Sequence, residues 1–515
     1  MIQSSRQDIL HIELEDVHRK AYRALLNGLL GCGCFFDGLK IAKKALLRFP
    51  GDHELLELRG CLKNGFKDRM EGFTDSGATG EGLKALTRWG KIMVVPYPWL
   101  DRKLNMRMPK LVKQINKHFG VGSCEVSPVT LLAAGNKVDG VRSQDVGPLG
   151  VVAIRDIRKG ELVLVDESIT GVSVQKPSQL KHCDACHATL QAPYQLPHET
   201  IKTTCCSKVA YCSLRCFTTA TNGYHKILCG KDFDWVYEGR NTSVTNVKYG
   251  GGTRWRPIMF LRIIAIILAD RSNGAPCHPL QHPLVARMAA NYSHTAHPNN
   301  VGFWQYAENV ETPTKILMAL GIDVFYDQDF TPEVITTIYW RLENNANMSI
   351  TNIEPRIPIT ADLPETEYEK ANEEGSIYMV CLNPHYIFFN HSCEPNVSWH
   401  GAIPDPSVDI SWLQGVDGIL HKVGCSTVFC YAARDIKKGE ELKISYIGDP
   451  MGGKPVLEES AVDVRAVKRE ALTKWFFGGC GCNVCEQENA AKKVQNELKD
   501  ALASGSGGDH ILKAI

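Results

Sequence analysis

Apolar residues recur at intervals of three and four in the N-terminal part of the chain. Leu14, Val17, Ala21 and Leu25 form one series, Leu39, Ala42, Ala45 and Leu46 a second, and Leu55, Leu58 and Leu62 a third. This spacing predicts three amphipathic helices. Gly31 and Gly33 separate the first two, and "FPGD" at 49–52 separates the second from the third. Residues 67–82, "KDRMEGFTDSGATGEG", are rich in Gly, Ser, Thr and Asp and read as a linker. At 150–168, "GVVAIRDIRKGELVLVDES", two short β-rich runs flank a turn at Lys159 and Gly160. Helical sequence follows from about 257 to 348. Its most apolar part, Ile258 to Ala269, is interrupted by Arg262 and is too short to cross a bilayer, so it predicts a buried helix opened by Pro257. Thr331, Pro332 and Glu333 fit the start of another helix. β character returns at 377–381, 427–432 and 441–446, and the last 25 residues, which contain "ASGSGGD", read as a mobile tail.

Composition narrows the classes. The chain has 515 residues, 44% hydrophobic and 22% charged, which is ordinary usage for a folded protein of several structural units. With 58 basic and 57 acidic residues the net charge of +1 supplies no long-range field for nucleic acid or anionic lipid. No membrane partner and no strong nucleic-acid signature are therefore expected. The opening "MIQSSRQDILHIELEDVHRK" lacks the layout of a signal peptide. The 19 cysteines are then expected to be reduced, and metal becomes the leading explanation for those that cluster.

Two clusters stand out. "CDAC" gives Cys183-x2-Cys186, "CSKVAYCSLRC" carries Cys206, Cys212 and Cys216, "YHKILC" gives His225-x3-Cys229, and Cys205 precedes Cys206 directly. Tetrahedral zinc takes sulfur and imidazole at such spacings because one tight or helical turn brings both donors to one ion. Eight donors imply two zinc ions. Near the C-terminal end, "CGCNVC" gives Cys480, Cys482 and Cys485, one thiolate short of a closed site. Cys393, in "FFNHSCEPNVSW" at 388–399, is the candidate fourth ligand. Read alone, that string also fits a turn with a buried cysteine and an Asx-type cap.

Taken together these motifs resemble two known families. The first cluster resembles a MYND-type zinc finger. "NHSCEPN", followed by "GEELKISY" and then C-x-C-x2-C, resembles the SET-domain methyltransferases, particularly the SET and MYND family and its fungal relatives, over residues 148–486. The resemblance implies interleaved finger sites, with Cys183, Cys186, Cys212 and Cys216 on one ion and Cys205, Cys206, His225 and Cys229 on the other. Here the finger departs from the family's third C-x2-C pair: Thr203 stands at the missing position, which makes Cys206 the firmer ligand and Cys205 the weaker. Cys393, Cys480, Cys482 and Cys485 would form the post-SET zinc site. Zinc is structural in all three.

The resemblance also implies S-adenosyl-L-methionine as methyl donor and a protein substrate bearing a lysine, histone or non-histone. Gly150 is carried over from a G-x-G whose first glycine is replaced by Pro148, and Asn345, in "NNAN", matches a donor-binding asparagine. Asn390 and His391 would grip the donor, Tyr446 would be catalytic at the transfer point, and Phe476 or Phe477 would stack on the adenine, the extra residue in "FFGGC" leaving open which. Glu440 and Glu441 read as structural. The expected fold is α+β: a SET β-fold with a knot-like crossing, an inserted MYND-like finger and helical insert, a post-SET zinc motif and an N-terminal helical region. The implied segments are 1–66 helical, 67–138 linker and helical approach, 139–180 first SET part, 181–232 finger, 233–350 helical insert, 351–455 SET core, 456–490 post-SET and 491–515 tail. The spacing from Ala45 to Pro50 resembles part of a tetratricopeptide repeat. The expected activity is lysine methylation, with peptide partners at the finger and residence in the nucleus, the cytoplasm or both. The alternative is a catalytically silent adaptor built on the same scaffold.

Overall fold

The computed structural model describes residues 2–75, 87–93, 97–119, 122–129, 145–168, 170–179, 181–188, 190, 195, 197–238, 255–289, 301–352, 376–401, 426–446, 472 and 480–503. Its helices are α1 (Ile2–Gly31), α2 (Phe35–Arg48), α3 (His53–Asp75), α4 (Pro109–Asn116), α5 (Leu214–Asn222), α6 (Arg256–Ser272), α7 (Thr312–Ala319), α8 (Pro332–Asn345) and α9 (Asn483–Ala503). The strands are β1 (Gly90–Met93), β2 (Cys124–Pro128), β3 (Leu149–Ala153), β4 (Leu162–Glu167), β5 (Val172–Ser173), β6 (Ile201–Lys202), β7 (Ala210–Tyr211), β8 (Val301–Trp304), β9 (Asn347–Asn352), β10 (Ser376–Cys381), β11 (Asn390–His391), β12 (Val397–Gly401), β13 (Thr427–Ala432) and β14 (Glu441–Ile444).

Helices α2 and α3 bury the expected stripe, with Ala42, Ala45, Leu55, Leu58 and Leu62 in one cluster. On α1 the expected series is corrected: Leu14 and Val17 are exposed, and the buried face is one position on, at Leu26 and Leu29, because that is the side turned to α2 and α3. Gly33 takes a φ of +66° between α1 and α2, a conformation that costs glycine nothing. Helix α3 runs to Asp75, into the segment expected to be linker. The physical reason is local: Lys67, Arg69, Met70 and Glu71 are strong helix formers, and Arg69 Nη1 donates to the carbonyl of Gly33 at 2.6 Å. The expected mobile tail is likewise corrected, because α9 continues to Ala503 through "NAAKKVQNELKDALA".

Three small sheets make the β core, in the orders β11-β14-β3-β2, β12-β13-β4 and β5-β10-β9. Val126, Val151, Val163, Phe388, Phe389, Val428, Leu442 and Ile444 share one buried cluster. Strand β11 lies parallel to β14, with Asn390 opposite Lys443 and His391 opposite Ile444. The two "KGE" turns, distant in sequence, answer one another. Lys159 N–H donates to Asp435 Oδ1 at 2.8 Å, and Lys438 N–H donates to Asp156 Oδ1 at 2.9 Å. Gly160 and Gly439 have φ values of +81° and +85° at equivalent points, and Arg155 pairs with Glu161 as Arg434 pairs with Glu440.

Helix α6 is buried along nearly its whole length and packs with Phe330, Val334, Ile338 and Leu342. Ala265 and Ile266 turn instead to the cysteine-rich region, where they join Tyr211, Ala220 and Tyr224. Arg262, also on α6, is buried because Asp184 meets it at 3.0 Å and the Tyr224 ring lies 3.7 Å beneath its guanidinium.

Candidate active site and metal centres

Among the described residues, three groups of four donors have their ligand atoms within 4.8 Å of one another: Cys183, Cys186, Cys212 and Cys216; Cys205, Cys206, His225 and Cys229; and Cys393, Cys480, Cys482 and Cys485. A Zn–S bond of about 2.3 Å places tetrahedral sulfurs about 3.8 Å apart. In the first group Cys186 and Cys212 are 3.5 Å apart and Cys212 and Cys216 are 3.7 Å apart. In the third, Cys393 lies 3.9 Å from Cys480 and 3.8 Å from Cys485. In the second, the sulfurs of Cys205 and Cys206 are 3.3 and 3.8 Å from His225 Nε2. All three donor sets therefore fit zinc in type, number and spacing.

Each set is assembled by local backbone. In the first, Ser213 caps α5 by accepting the Cys216 N–H, so Cys212 and Cys216 bracket a helix N-terminus, which favours thiolate. Hydrogen bonds among the crowded thiols, led by Cys186, lower Cys183, while those led by Cys183 push Cys186 well up. In the second, Cys229 N–H donates to His225 O at 2.7 Å, closing one helical turn between two donors. Adjacent Cys205 and Cys206 both reach the group, the former exposed and the latter half-buried. In the third, Gly481 has a φ of +70°, which lets Cys480 and Cys482 face the same point.

The first set is stitched to the β core. His187 follows the Cys183–Cys186 knuckle with a φ of 60°, rare for a non-glycine residue, and its Nε2 lies 2.8 Å from the carbonyl oxygen of Gly171. Ser426 Oγ donates to the carbonyl of Cys186 at 2.8 Å. The buried Asp184–Arg262 pair adds a third tie, to α6. This second function of Asp184 and Arg262 was not legible from "CDAC" or from the apolar run, since nothing local pairs positions 78 residues apart.

The third set adjoins a second constellation. Asn390 Nδ2 donates to Glu441 Oε1 at 2.7 Å and to Leu149 O at 3.2 Å. Gly150 makes this approach possible: a Cβ there would stand 2.7 Å from Glu441 Oε1 and 2.9 Å from Asn390 Nδ2. Tyr446 is positioned at both ends. Its N–H donates to His391 Nδ1 at 3.0 Å and its hydroxyl donates to Phe389 O at 2.8 Å. Burial pushes its phenol above the usual range, reinforced by Glu441, so it stays a neutral hydroxyl. The turn before this strand is held by buried Asp166, which accepts the N–H groups of His385 and Tyr386 at 2.6 and 2.7 Å. Glu440 has the structural role expected, accepting from Arg434 and from Asn396.

Asn345 differs from the expectation. Its amide is committed to main chain, accepting from Ala289 N–H at 3.0 Å and donating to the carbonyls of Ala289 and Arg341, both at 2.7 Å. It clasps the end of α8. Two residues on, Asn347 donates to Asn383 Oδ1 at 3.0 Å, and its own buried Oδ1 has no hydrogen-bond partner. Phe476 and Phe477 lie outside the described residues. The cradle at Gly150 and the orphan oxygen of Asn347 are features that a polar ligand can use.

Comparison with known proteins gives one family: the model described as the SET domain matches residues 148–447. No curated protein matches the chain.

Proposed function

From the premise that the chain belongs to the SET domain family, we propose that it is a protein-lysine methyltransferase of the SET and MYND type. In this reading it uses S-adenosyl-L-methionine and holds structural zinc at all three donor sets. The observation that carries the reading is the parallel pairing of strand β11 with β14, which lays Asn390 and His391 beside the segment that ends in Tyr446. The crossing of these segments is read as the family's knot, the first two donor sets as a MYND-like finger, and the third as a post-SET site.

S-adenosyl-L-methionine supplies, when bound, a methyl group on a sulfonium, already activated for transfer. The protein's work is then orientation and desolvation. Asn390 and the main chain of His391 hold the donor beside Gly150. Tyr446 keeps its proton and directs its hydroxyl at the transfer point, ready to orient an incoming amine. A lysine amine is mostly protonated near neutral pH, with an ordinary pKa of about 10.4; a dry aromatic channel, for which Phe388, Phe389 and Tyr431 are candidates, would disfavour that charge. Neither Tyr446 nor His391 acts as a general base here.

Transfer of labelled methyl from the donor to lysine in peptides or cell extract tests the reading. Label on lysine whose rate of appearance falls at least about 10-fold with Tyr446→Phe supports it. Absence of label, with the donor still bound, would turn the assignment toward an adaptor.

A further inference from the structure

We propose that His391 is a positioning residue that ties the third donor set to Tyr446, making the ion held by Cys393, Cys480, Cys482 and Cys485 part of the geometry of the transfer point. The inference rests on the methyltransferase reading for its consequence in catalysis, while the link itself stands on geometry. The Nδ1 atom of His391 accepts the Tyr446 N–H at 3.0 Å. An imidazole that accepts at Nδ1 carries its hydrogen on Nε2 when neutral. That Nε2 lies 3.6 Å from Cys393 Sγ, within range of an N–H···S hydrogen bond. One ring therefore spans from a metal-ligand sulfur to the backbone of Tyr446. Its face also packs on the Tyr446 ring, with centroids 5.3 Å apart and planes at 44°.

The arrangement is enclosed. His391 is 4% exposed and Cys393 is wholly buried, so bulk water is a poor substitute for either partner. A thiolate on a metal is a strong acceptor for Nε2–H. That bond fixes the tautomer, the tautomer leaves Nδ1 an acceptor, and Nδ1 holds Tyr446 at its amide. The Tyr446 hydroxyl, anchored on Phe389 O, then turns with the backbone that His391 sets. Outer hydrogen bonds of this kind tune both the metal and the residues around it.

The test uses full-length protein in which zinc is replaced by cadmium-113, with tyrosine labelled by nitrogen-15. His391→Asn retains an acceptor where Nδ1 stood and loses the donor to sulfur; His391→Gln reverses this. We expect His391→Asn to move one of the two four-sulfur cadmium resonances and leave the other unchanged, with His391→Gln moving it less. The Tyr446 amide, identified by its loss in Tyr446→Phe, should differ between zinc and cadmium proteins in the wild type and stop differing in His391→Asn. Single-turnover methyl transfer at saturating donor should fall about tenfold in His391→Asn. The proposal is overturned if no cadmium resonance moves, or if the wild-type Tyr446 amide ignores the metal exchange. If the wild-type protein transfers no methyl group, the methyltransferase reading falls, and the two resonance measurements still decide the link.

Discussion

Tyr446 presents a hydroxyl whose only change on Tyr446→Phe is the loss of one oxygen, because the ring stays packed on His391. If that hydroxyl acts chiefly in the transition state, the substitution lowers the single-turnover rate by roughly 10-fold to 1000-fold and leaves donor affinity, read by calorimetry, nearly unchanged. Burial keeps the phenol neutral beyond its ordinary range, so any rise in rate between neutral and mildly alkaline pH belongs to the substrate amine, and Tyr446→Phe should keep the shape of that profile. Gly150→Ala is expected to act the opposite way. Its Cβ collides with Asn390 and Glu441, so donor affinity should fall first. The candidate metal donors were legible in the sequence because few chemistries want thiols and imidazole at such spacings, and the structure gathers all twelve, eleven cysteines and His225, into three groups. The asparagine register was less legible, for the converse reason. Several adjacent asparagines in "NNAN" look alike until hydrogen bonds distinguish the one clasping α8 from Asn347 with its unpartnered oxygen.

Helices were read well where an amphipathic stripe and a breaker coincide, as at α2 and the start of α3, and poorly where polarity alone suggested disorder. Helix α9 is polar along most of its length, yet its Val484 and Cys485 pack on Cys393, which anchors its first turn. The repeated "HPLQHPL" at 278–284 carries a device that periodicity does not reveal. His278 Nδ1 accepts the Leu280 N–H at 3.2 Å, and His282 Nδ1 accepts the Leu284 N–H at 3.3 Å, each capping a short turn. Burial lowers both imidazoles below their ordinary value. For a base so depressed, the stability is present above the unfolded pKa of about 6.5 and is lost as pH falls through the folded one. The unfolding temperature should therefore drop as pH falls below the ordinary imidazole value of about 6.5, and His278→Asn with His282→Asn, which cap without titrating, should flatten part of that slope. At α6, Arg262→Met leaves Asp184 buried without its charge partner and should cost about 3–5 kcal/mol in denaturant unfolding.

For the whole molecule, elemental analysis should find about three zinc ions per chain, with the ions unequal in lability. The first set is buried throughout, while the second includes exposed Cys205. A competing chelator should take the second ion fastest and leave the β core folded by circular dichroism; loss of the first should unfold the ties at Cys186, His187 and Asp184. That helices and sheet are both present was legible, because β-rich runs at 150–168 and 377–446 flank a long helical stretch; the α+β class itself came from the resemblance. The pairing of distant runs was not legible, since hydrophobic period says nothing about which strand lies beside which. That gap bears most on the reciprocal turns, whose two hydrogen bonds join residues 276 and 282 positions apart. They act as a buckle on a belt, and the stretch between them, with the first two donor sets and helices α6 to α8, is the slack it encloses. Closing such a loop grows costlier by only about 0.6 kcal/mol for each doubling of its length, so evolution can lengthen or shorten the slack at little thermodynamic cost. The burden falls on time instead: the buckle must wait for distant chain ends to meet, while the zinc knuckles close within a few residues. Asp156→Ala and Asp435→Ala should accordingly speed unfolding while scarcely altering the rate at which the metal knuckles form.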